Sequence, residues 1–304
     1  MDMNELKLMQ NYPLSIKISK TQFRIREFYE YFNGEVYVAF SGGNDSLVML
    51  HIIRNMYPDV KAVFVDTGVE FPEVRKFVKT FDNVIFLKPQ KNFSQIITDY
   101  GYPIISKDVS NSIRLARKNI IEGKDTYRVR QFDGSQKGSR FDKSKWKFLL
   151  DAPFKISEQC CDELKKKPFK KFEKETGLKG YIGVLASEGG VRLQGYLKTG
   201  CNNYRFGNSK PLGFWTHQDI LQYIKIYNLN MCPVYGDLIF DEARNKLVVT
   251  GEPRTGCMGC MFGCHLEKSP NRFERMKISH PHMYNYFIEK LNFKSVLDYI
   301  NIKY

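Results

Sequence analysis

The stretch Ser41-Gly-Gly-Asn-Asp-Ser46 combines two hydroxyls, a carboxylate and a pair of glycines. Five apolar residues, Val36–Phe40, come just before it and predict a buried strand, and apolar residues at helical spacing follow it. Gly42 and Gly43 have no Cβ, so the backbone can turn tightly and point successive N–H groups and a helix N-terminus at one anion. This pattern favours a nucleotide-phosphate site over the alternative, an ordinary strand-to-helix turn. Its predicted members are Ser41, Gly42, Gly43, Asn44, Asp45 and Ser46.

Four of the seven cysteines occur in two pairs, Cys160-Cys161 and Cys257-Met-Gly-Cys260. An odd number of cysteines, in a chain whose start lacks an export signal, argues against a disulfide framework. Thiolates ligate iron–sulfur clusters and structural zinc, and the glycine inside the second pair lets two sulfurs reach one metal centre. The pairs therefore predict a metal site, with core cysteines that hold no metal as the alternative. Cys264 follows one helical turn later as a substitute ligand, a reactive thiol or neither.

The remaining apolar runs describe the scaffold that would position these residues. Further strands are predicted at Ala62–Asp66, Asn83–Pro89 and Tyr181–Ala186, with helical stretches between them. Strands alternating with helices make an α/β fold with a doubly wound, mostly parallel, Rossmann-type sheet. Ligands of such sheets lie beyond the carboxyl ends of the strands, which is where Asp66 and Thr67 would be.

We expect three segments: an N-terminal helical segment at 1–34, a nucleotide-binding α/β domain at 35–209, and a helical, cysteine-bearing region at 210–304. In the last segment, Thr216 is expected to cap a helix, with Trp215 in the core. Ser269-Pro270 is expected to start another helix, because serine caps helices and proline suits the first helical position.

The chain is basic, with a formal charge of +14 and a pI of about 9.3, a balance that attracts polyanions. Within it, residues 114–147 mix arginine and lysine with tyrosine, phenylalanine and tryptophan, and we interpret them as a mobile loop. Such a segment can bind a nucleic acid, and a solvated loop without a partner is the alternative. No apolar run is long enough to cross a membrane, so we expect a cytoplasmic protein without membrane contact.

At the loop, the chain resembles the phosphoadenosine phosphosulfate (PAPS) reductase family, whose pyrophosphate loop reads Ser-Gly-Gly-Lys-Asp-Ser. The family belongs to the adenine-nucleotide α-hydrolase, or ATP pyrophosphatase, superfamily. The resemblance continues through Asp66-Thr-Gly-Val-Glu-Phe-Pro72, through Glu188 and Arg192, and through the cysteine pairs, which are similar to those of the iron–sulfur subtype. The chain departs from the family pattern at Asn44, where the family has lysine, and at Gly189, where it has serine. It also lacks the family's cysteine in the C-terminal tail.

The resemblance implies a sulfur-metabolism enzyme that binds ATP, adenylyl sulfate or PAPS. It implies a 4Fe-4S cluster held by Cys160, Cys161, Cys257 and Cys260, with zinc as the rival metal. It adds Thr67 and Gly68 to the nucleotide-binding residues. The catalytic residues that it implies are Asp45, Asp66, Glu188 and Arg192, with Asp45 or Asp66 helping to bind Mg²⁺.

The expected activity is ATP-dependent adenylation followed by sulfur transfer, or thiolation, on a nucleic-acid acceptor. A sulfur donor or a thioredoxin-like protein would be a further partner. PAPS or adenylyl-sulfate reduction is the first alternative, and it needs an unusual thiol because the tail cysteine is absent. The second alternative is a protein that binds nucleotide or nucleic acid without catalysis, because Asn44 and Gly189 both depart from the family's site.

Overall fold

A computed structural model describes residues 2–304. The strands are β1 (Val36–Ala39), β2 (Lys61–Val65), β3 (Val84–Leu87), β4 (Ile104–Ile105), β5 (Lys179–Ile182), β6 (Asn202–Asn203), β7 (Asn208–Ser209), β8 (Leu238–Asp241), β9 (Lys246–Val249) and β10 (Met261–Phe262). The helices are α1 (Met3–Gln10), α2 (Leu14–Tyr31), α3 (Asn44–Met56), α4 (Pro72–Val78), α5 (Phe93–Tyr100), α6 (Lys107–Ile121), α7 (Tyr127–Arg130), α8 (Lys167–Thr176), α9 (Gly190–Thr199), α10 (His217–Ile226), α11 (Arg272–Ser279), α12 (Pro281–Asn285) and α13 (Phe293–Tyr299).

The chain forms two compact units. The first contains the residues up to Asp66 together with Glu70–Lys88 and Phe169–Thr255. The second contains Thr67–Val69, Pro89–Pro168 and Gly256–Tyr304. Residues 210–255 thus belong with the first unit, and the three-segment division expected from the sequence stays a prediction.

The first unit is built on a six-stranded sheet with the order β3-β2-β1-β5-β7-β6. Every neighbouring pair is parallel except β6 and β7, which are antiparallel. The chain proceeds from β1 to β2 and β3 on one side, then returns to β5 on the other, so the strand order reverses beside β1. Crevices at such a reversal are the usual ligand sites of open α/β sheets. The loop at Ser41–Ser46 begins directly after β1 and lies at this point.

Apolar residues of β1, α2 and α3 form the core of the first unit, and Phe28, Val38 and Met49 are fully buried in it. Trp215 is also fully buried, as expected, and its indole Nε1–H donates a 2.9 Å hydrogen bond to Thr21 Oγ1. The expected cap at Thr216 is confirmed too, because its hydroxyl accepts from the N–H of the third residue of α10. These contacts fix the start of α10 against the core.

The second unit pairs β4 with β10 in parallel and carries the C-terminal helices. Aromatic rings at Phe93, Phe273, Phe287 and Phe293 pack edge-on or tilted against one another in its interior. Ile105, at the end of β4, has φ +61°, a backbone conformation that is strained for a β-branched residue. Strain of this kind is concentrated at functional sites.

Two local predictions in the second unit are wrong. The helix expected to start at Ser269-Pro270 begins two residues later, because Asn271 caps it and forms a reciprocal capping box with Glu274. The segment 114–147 is not a loop throughout, since α6 continues to Ile121 with an apolar buried face. No helix within residues 2–304 combines the length and the apolar character that a membrane span requires. Location in the cytoplasm stays a prediction.

Candidate functional site

The two glycines of the loop lie close to neighbouring side chains. Gly42 has φ +74°, and a Cβ there would lie 2.9 Å from both Val74 Cγ1 and Val78 Cγ2. A Cβ on Gly43 would lie 2.8 Å from Thr255 Oγ1. Both distances are shorter than ordinary Cβ contacts, and at Gly42 the positive φ also disfavours any residue with a Cβ. Gly43 has φ −85°, so a side chain there would require only that Thr255 moves.

Hydroxyl groups hold the rest of the loop in place. Ser46 Oγ donates a 2.9 Å hydrogen bond to the Gly43 carbonyl and accepts a 3.1 Å bond from the Ser41 N–H. Asn44 N–H donates to the Tyr235 hydroxyl over 3.3 Å, and that hydroxyl is 2.8 Å from Thr255 Oγ1. The loop shape is therefore fixed by its own sequence and by residues nearly 200 positions further on.

Helix α3 starts at this loop without a side-chain cap. Its N-cap residue is Gly43, which has no side chain to accept from the N–H groups of the first turn, and the Tyr235 hydroxyl accepts only from the N–H of Asn44. By contrast, α10 has a complete capping box formed by Thr216 and Asp219. An uncapped helix start leaves N–H donors and the positive end of the helix dipole for an anion.

A cavity of about 480 Å³ opens at the loop and is formed entirely by the first unit. It is lined by Ser41, Gly43, Asn44, Asp45, Ser46, Gly183, Leu185, Glu188, Arg192, His217, Tyr235, Pro253, Arg254 and Thr255. The structure thus brings together five of the six predicted loop residues, all but Gly42, with the predicted Glu188 and Arg192.

Asp45 is the carboxylate of the loop and is largely removed from solvent. Burial raises the pKa of its carboxyl to about 6, although the charges of Arg192 and Arg254 lower it. Burial makes this carboxyl costly to ionise, although two arginines lie nearby. A pKa perturbed by burial and by specific charges is typical of functional sites.

Glu188 lies between two guanidinium groups. Arg254 Nη2 donates to Glu188 Oε1 over 2.9 Å, and Arg192 forms an ion pair with Glu188 Oε2. The residue after the carboxylate, Gly189, has φ 74° and ψ −164°, a region that is essentially open to glycine alone. The departure from the family's serine therefore follows from the backbone turn that precedes α9.

Asn44 replaces the family's lysine, and its side chain is 4% exposed. Within residues 2–304, neither its amide nitrogen nor its amide oxygen has a hydrogen-bond partner. A buried polar group without a partner costs about 1–3 kcal/mol. Such a cost is tolerated where a group serves a function that the unliganded fold does not complete.

The structure places other predicted residues elsewhere. Asp66 is not among the residues that line the cavity, and its carboxylate forms a 2.8 Å ion pair with Arg75 Nη2. Thr67 and Gly68 belong to the second unit, where the neighbouring Val69 carbonyl accepts a 2.8 Å bond from Met258 N–H. The roles predicted for Asp66, Thr67 and Gly68 stay predictions.

Sequence reasoning missed four polar residues of the cavity, namely His217, Tyr235, Arg254 and Thr255. Burial, with the charges of Arg254 and Lys246, lowers the pKa of His217 and favours its neutral form. The one available signal was the position of Arg254 and Thr255 just before the Cys-x-x-Cys pair.

The two cysteine pairs lie in the second unit and interact with one another. The hydrogen bond with Cys161, burial, and the charges of Cys161, Cys260 and Cys257 raise the pKa of the Cys160 thiol. The hydrogen bond from Cys160, assisted by the charge of Lys107, lowers the pKa of Cys161 to about 5. The structure therefore brings the four predicted ligands within electrostatic range of one another.

These thiols do not surround a single ion. Across residues 2–304, no three side chains of histidine, cysteine, aspartate or glutamate are grouped tightly enough to hold one metal ion. Arg272 supports the second pair, because its Nη1 donates a 2.7 Å bond to the Cys260 carbonyl. The donor chemistry fits a group with four thiolate ligands, since all four donors are sulfurs and the cations Lys107 and Arg272 lie nearby.

The surroundings of Cys264 disfavour its thiolate. It is 2% exposed, and burial raises the pKa of its thiol to about 12. Reactive cysteines need an accessible thiolate. Of the other cysteines, Cys201 is buried with its sulfur 3.2 Å from the Tyr196 hydroxyl, and Cys232 is fully buried.

The basic segment, residues 114–147 of the second unit, carries cations stacked on aromatic rings. Arg140 lies 4.6 Å from the ring centroid of Phe141, and Lys145 lies 4.9 Å from that of Trp146. The Trp146 ring also meets the His265 ring edge-on at 5.3 Å. Rings and cations arranged in this way can contact both the bases and the phosphates of a single strand.

With this geometry in hand, comparison with known proteins gives the family. The model of the phosphoadenosine phosphosulfate reductase domain matches residues 35–261, and the chain belongs to this family. The expected family and the expected α/β fold class are both confirmed.

Individual relatives share 22–39% identity with the chain. The chain is 22% identical to an adenosine 5'-phosphosulfate reductase of Lysinibacillus sphaericus over 78% of its own length and 77% of the relative's. It is 32% and 39% identical to two uncharacterised proteins of Methanocaldococcus jannaschii, over 40% and 26% of this chain. The chain spans only 31% and 18% of the lengths of those two proteins.

Solved structures give weak similarity. A PAPS reductase from Candida auris is 13% identical, with a TM-score of 0.39, covering 77% of this chain and 90% of that one. The U34-tRNA thiolase NcsA from Methanococcus maripaludis, solved with its 4Fe-4S cluster, is 14% identical. Its TM-score is also 0.39, covering 94% of this chain and 81% of the thiolase.

Proposed function

We propose that the protein binds ATP in the cavity at Ser41–Ser46 and uses it to adenylate a nucleic-acid acceptor, which then takes up sulfur. The observation that carries this proposal is the uncapped start of α3 behind a glycine loop, in a cavity that also holds Arg192 and Arg254. Backbone donors and guanidinium groups together match the phosphates of a nucleotide.

The reaction would proceed in two displacements. An oxygen of the acceptor attacks the α-phosphorus of ATP, the bond to the bridging oxygen of the β-phosphate breaks, and pyrophosphate leaves. A sulfur nucleophile supplied as sulfide then attacks the acceptor carbon, and the oxygen departs with AMP. In this scheme the loop holds phosphate, and Arg192 stabilises the negative charge that develops on it.

The carboxylates would serve magnesium and positioning. Asp45 lies in the loop and would accept a cation that arrives with the nucleotide, which would offset the cost of ionising it. Asp66 would act only after separation from Arg75, so we propose Asp45 as the more direct Mg²⁺ ligand.

A 4Fe-4S cluster would be held by Cys160, Cys161, Cys257 and Cys260. When bound, such a cluster supplies iron that can hold or deliver sulfur. The residues of this chain contribute the thiolates, while Lys107 and Arg272 place positive charge beside a group that four thiolates make negative. Zinc is the rival metal.

The acceptor would bind the basic segment of the second unit. Exposed Lys145 and Lys147 flank Trp146, which presents a partly exposed ring for base stacking. The positive charge of the whole chain, +14, would draw a polyanion toward it.

Reduction of a sulfonucleotide is the second candidate, favoured by the similarity to the adenosine 5'-phosphosulfate reductase. That reaction needs an accessible thiolate, yet residues 295–304 contain no cysteine and Cys264 is buried with its pKa raised. A non-catalytic role rests on Asn44 alone, because the glycine at position 189 is explained by the backbone. Activity gained by Asn44→Lys in an otherwise inactive protein would favour that role.

Anaerobic purification, with iron, sulfide and zinc quantified, tests the proposal. ATP, adenylyl sulfate and PAPS are then titrated into the same sample. About four irons with matching sulfide, together with a preference for ATP, would support thiolation. Iron with a preference for a sulfonucleotide would favour the reductase, and the absence of both iron and nucleotide binding would exclude both enzymes.

The acceptor surface has its own test. The double variant Lys145→Gln/Lys147→Gln should weaken binding of a single-stranded RNA. It should also flatten the slope of log affinity against log salt concentration by about 0.7 for each phosphate that no longer has a lysine beside it. The variant Lys290→Gln/Lys294→Gln removes the same charge from exposed positions elsewhere in the second unit and serves as the control. Equal losses of affinity in the two variants would mean that net charge, not this segment, binds the strand.

A further inference from the structure

We propose that Arg192 and Arg254 form a second anion subsite in the nucleotide cavity, and that the Glu188 carboxylate occupies it until the ligand arrives. The first subsite is the glycine loop, which holds one phosphate. The second subsite would take the next anionic group of the same ligand. This inference deepens the proposed function and rests on it.

The ion pairs show how the second subsite is occupied without ligand. One carboxylate serves two guanidinium groups, with Arg254 Nη2 on one oxygen at 2.9 Å and Arg192 on the other. Two planar, multiply donating guanidinium groups that converge on two oxygens of one anion are the arrangement by which proteins bind phosphate or sulfate. Glu188 thus presents to them the oxygens that a ligand would present.

The backbone keeps Glu188 in this position. Gly189 and Gly190 both have positive φ, at +74° and +54°, and α9 begins at Gly190. Glu188 therefore precedes the turn, and Arg192 lies in the first turn of α9, four residues further along the chain. Arg254 comes from a distant segment, and its side chain is 75% exposed, so it can follow a ligand as the carboxylate leaves.

The two guanidinium groups face two carboxylates, Glu188 by direct contact and Asp45 by charge. The two guanidinium groups lie close enough for Arg254 to lower the pKa of Arg192, in addition to the larger effect of burial. A phosphate or sulfate carries more acceptor oxygens than Glu188 and can satisfy both arginines more fully. The Glu188 carboxylate therefore competes with the ligand, and the free energy needed to displace it reduces the affinity of the ligand.

Two consequences separate this subsite from a general attraction for nucleotides. Ligands with a second anionic group, such as ATP or adenylyl sulfate, should depend on Arg254, whereas AMP has one phosphate and should not. Removing the competing carboxylate should tighten binding of the first kind of ligand only. The shared chemistry is a second anionic group next to the α-phosphate, and the two ligands distinguish a phosphate from a sulfate in that place.

Calorimetric titration of AMP, ATP and adenylyl sulfate into the whole protein tests this inference. The variants are Glu188→Gln, Arg254→Gln and Arg244→Gln. Arg244 lies in the same unit, pairs with Asp241 and is absent from the cavity, so it controls for the loss of one positive charge. Thermal unfolding of each variant checks that it folds.

Arg254→Gln should weaken ATP or adenylyl sulfate roughly 10- to 100-fold, the effect of losing a charged hydrogen bond, and should leave AMP within about twofold. Glu188→Gln should tighten the same ligand and leave AMP unchanged. Equal effects on AMP and on the larger ligand, or equal effects of Arg254→Gln and Arg244→Gln, would overturn the subsite alone. Failure of the parent protein to bind any of the three ligands would overturn the proposed function, and the subsite with it.

Discussion

The glycine loop of the first unit and the cysteine pairs of the second are organised by different means. The loop consists of consecutive residues, and its shape follows from glycine backbone angles and from hydroxyl hydrogen bonds that are complete without ligand. The cysteine pairs are nearly one hundred residues apart in the chain, and their thiols affect one another through charge. One site is shaped by the backbone and the other by side-chain electrostatics.

This difference indicates which site depends on its ligand. The loop has its tight turn and its uncapped helix start without a nucleotide. The thiols do not ionise equally: the hydrogen bond with Cys161, burial and the neighbouring thiolate charges raise the pKa of Cys160, whereas the hydrogen bond from Cys160 lowers the pKa of Cys161. Burial, with the charge of Cys161, raises the pKa of Cys260. A metal group removes that difference, since coordination replaces the protons. The cysteine site should therefore respond to substitution in an all-or-none manner, and the loop in a graded manner.

The largest expected effect is the loss of metal on substitution of one cysteine. Cys160→Ser should reduce the iron of the anaerobically purified protein from about four per chain to nearly none, because it removes one of the four thiolates proposed to hold the cluster. Cys201→Ser is the matched control, since Cys201 is equally buried but contacts Tyr196 in the other unit. Iron and sulfide analysis, with the visible absorption spectrum, measures the result.

Iron retained in full by Cys160→Ser would show that the two pairs do not ligate one cluster. Zinc in place of iron in the parent protein, lost in the same variant, would keep the ligand set and change the metal. Either result would alter the contrast between the two sites, because the four cysteines would then not hold one iron–sulfur cluster.

The next effect concerns the backbone of the loop. Gly42→Ala should destabilise the protein by about 4 kcal/mol, since it combines strain at positive φ with overpacking. The added Cβ would meet Val74 and Val78 at 2.9 Å. Chemical unfolding measures this loss, and nucleotide titration of the folded fraction should show weakened binding.

Gly256→Ala serves as the control for Gly42→Ala. Gly256 has no positive φ, and a Cβ there would have no atom of residues 2–304 within 4 Å. A loss of stability in Gly256→Ala as large as in Gly42→Ala would mean that the loop is not specially constrained. If the two sites differ as described, Gly42→Ala should lose part of its stability and nucleotide affinity, whereas Cys160→Ser should lose nearly all of its iron.

The sequence was most informative where function lies in consecutive residues. The strand, the glycine pair and the helix after it were all predictable, because alternation of strand and helix patterns around Gly42 and Gly43 is a local signal. Tyr235 and Arg254 were not predictable as cavity residues, since they enter it only through tertiary folding. Neither has a spacing pattern that distinguishes it from an ordinary surface or core residue.

Local rules failed where two good signals competed. Ser269-Pro270 satisfies the rule for a helix start, but Asn271 and Glu274 satisfy a stronger one and form a reciprocal capping box. Gly189 illustrates the opposite case, because its departure from the family's serine looked like a weakened site. Its φ and ψ show that the turn before α9 demands glycine.

The smallest of the three effects comes from Asp45, whose folded-state pKa of about 6 lies above the ordinary value of 3.8. The folded protein therefore binds the Asp45 proton more tightly than the unfolded chain does. This contribution to stability is fully present below pH 3.8 and is lost as the pH rises through 6, where the buried carboxylate must ionise.

Asp45→Asn removes the free-energy cost of ionising this buried carboxyl. It should raise the free energy of unfolding by about 3 kcal/mol at pH 8, but by only about 1 kcal/mol at pH 4.5. Urea unfolding of the nucleotide-free protein at both pH values measures the difference, with the exposed Asp237→Asn as the control. A gain in the free energy of unfolding that does not change with pH would mean that Asp45 is not desolvated. The loop would then differ from the cysteine site still more, because no charge in it would depend on a bound ligand.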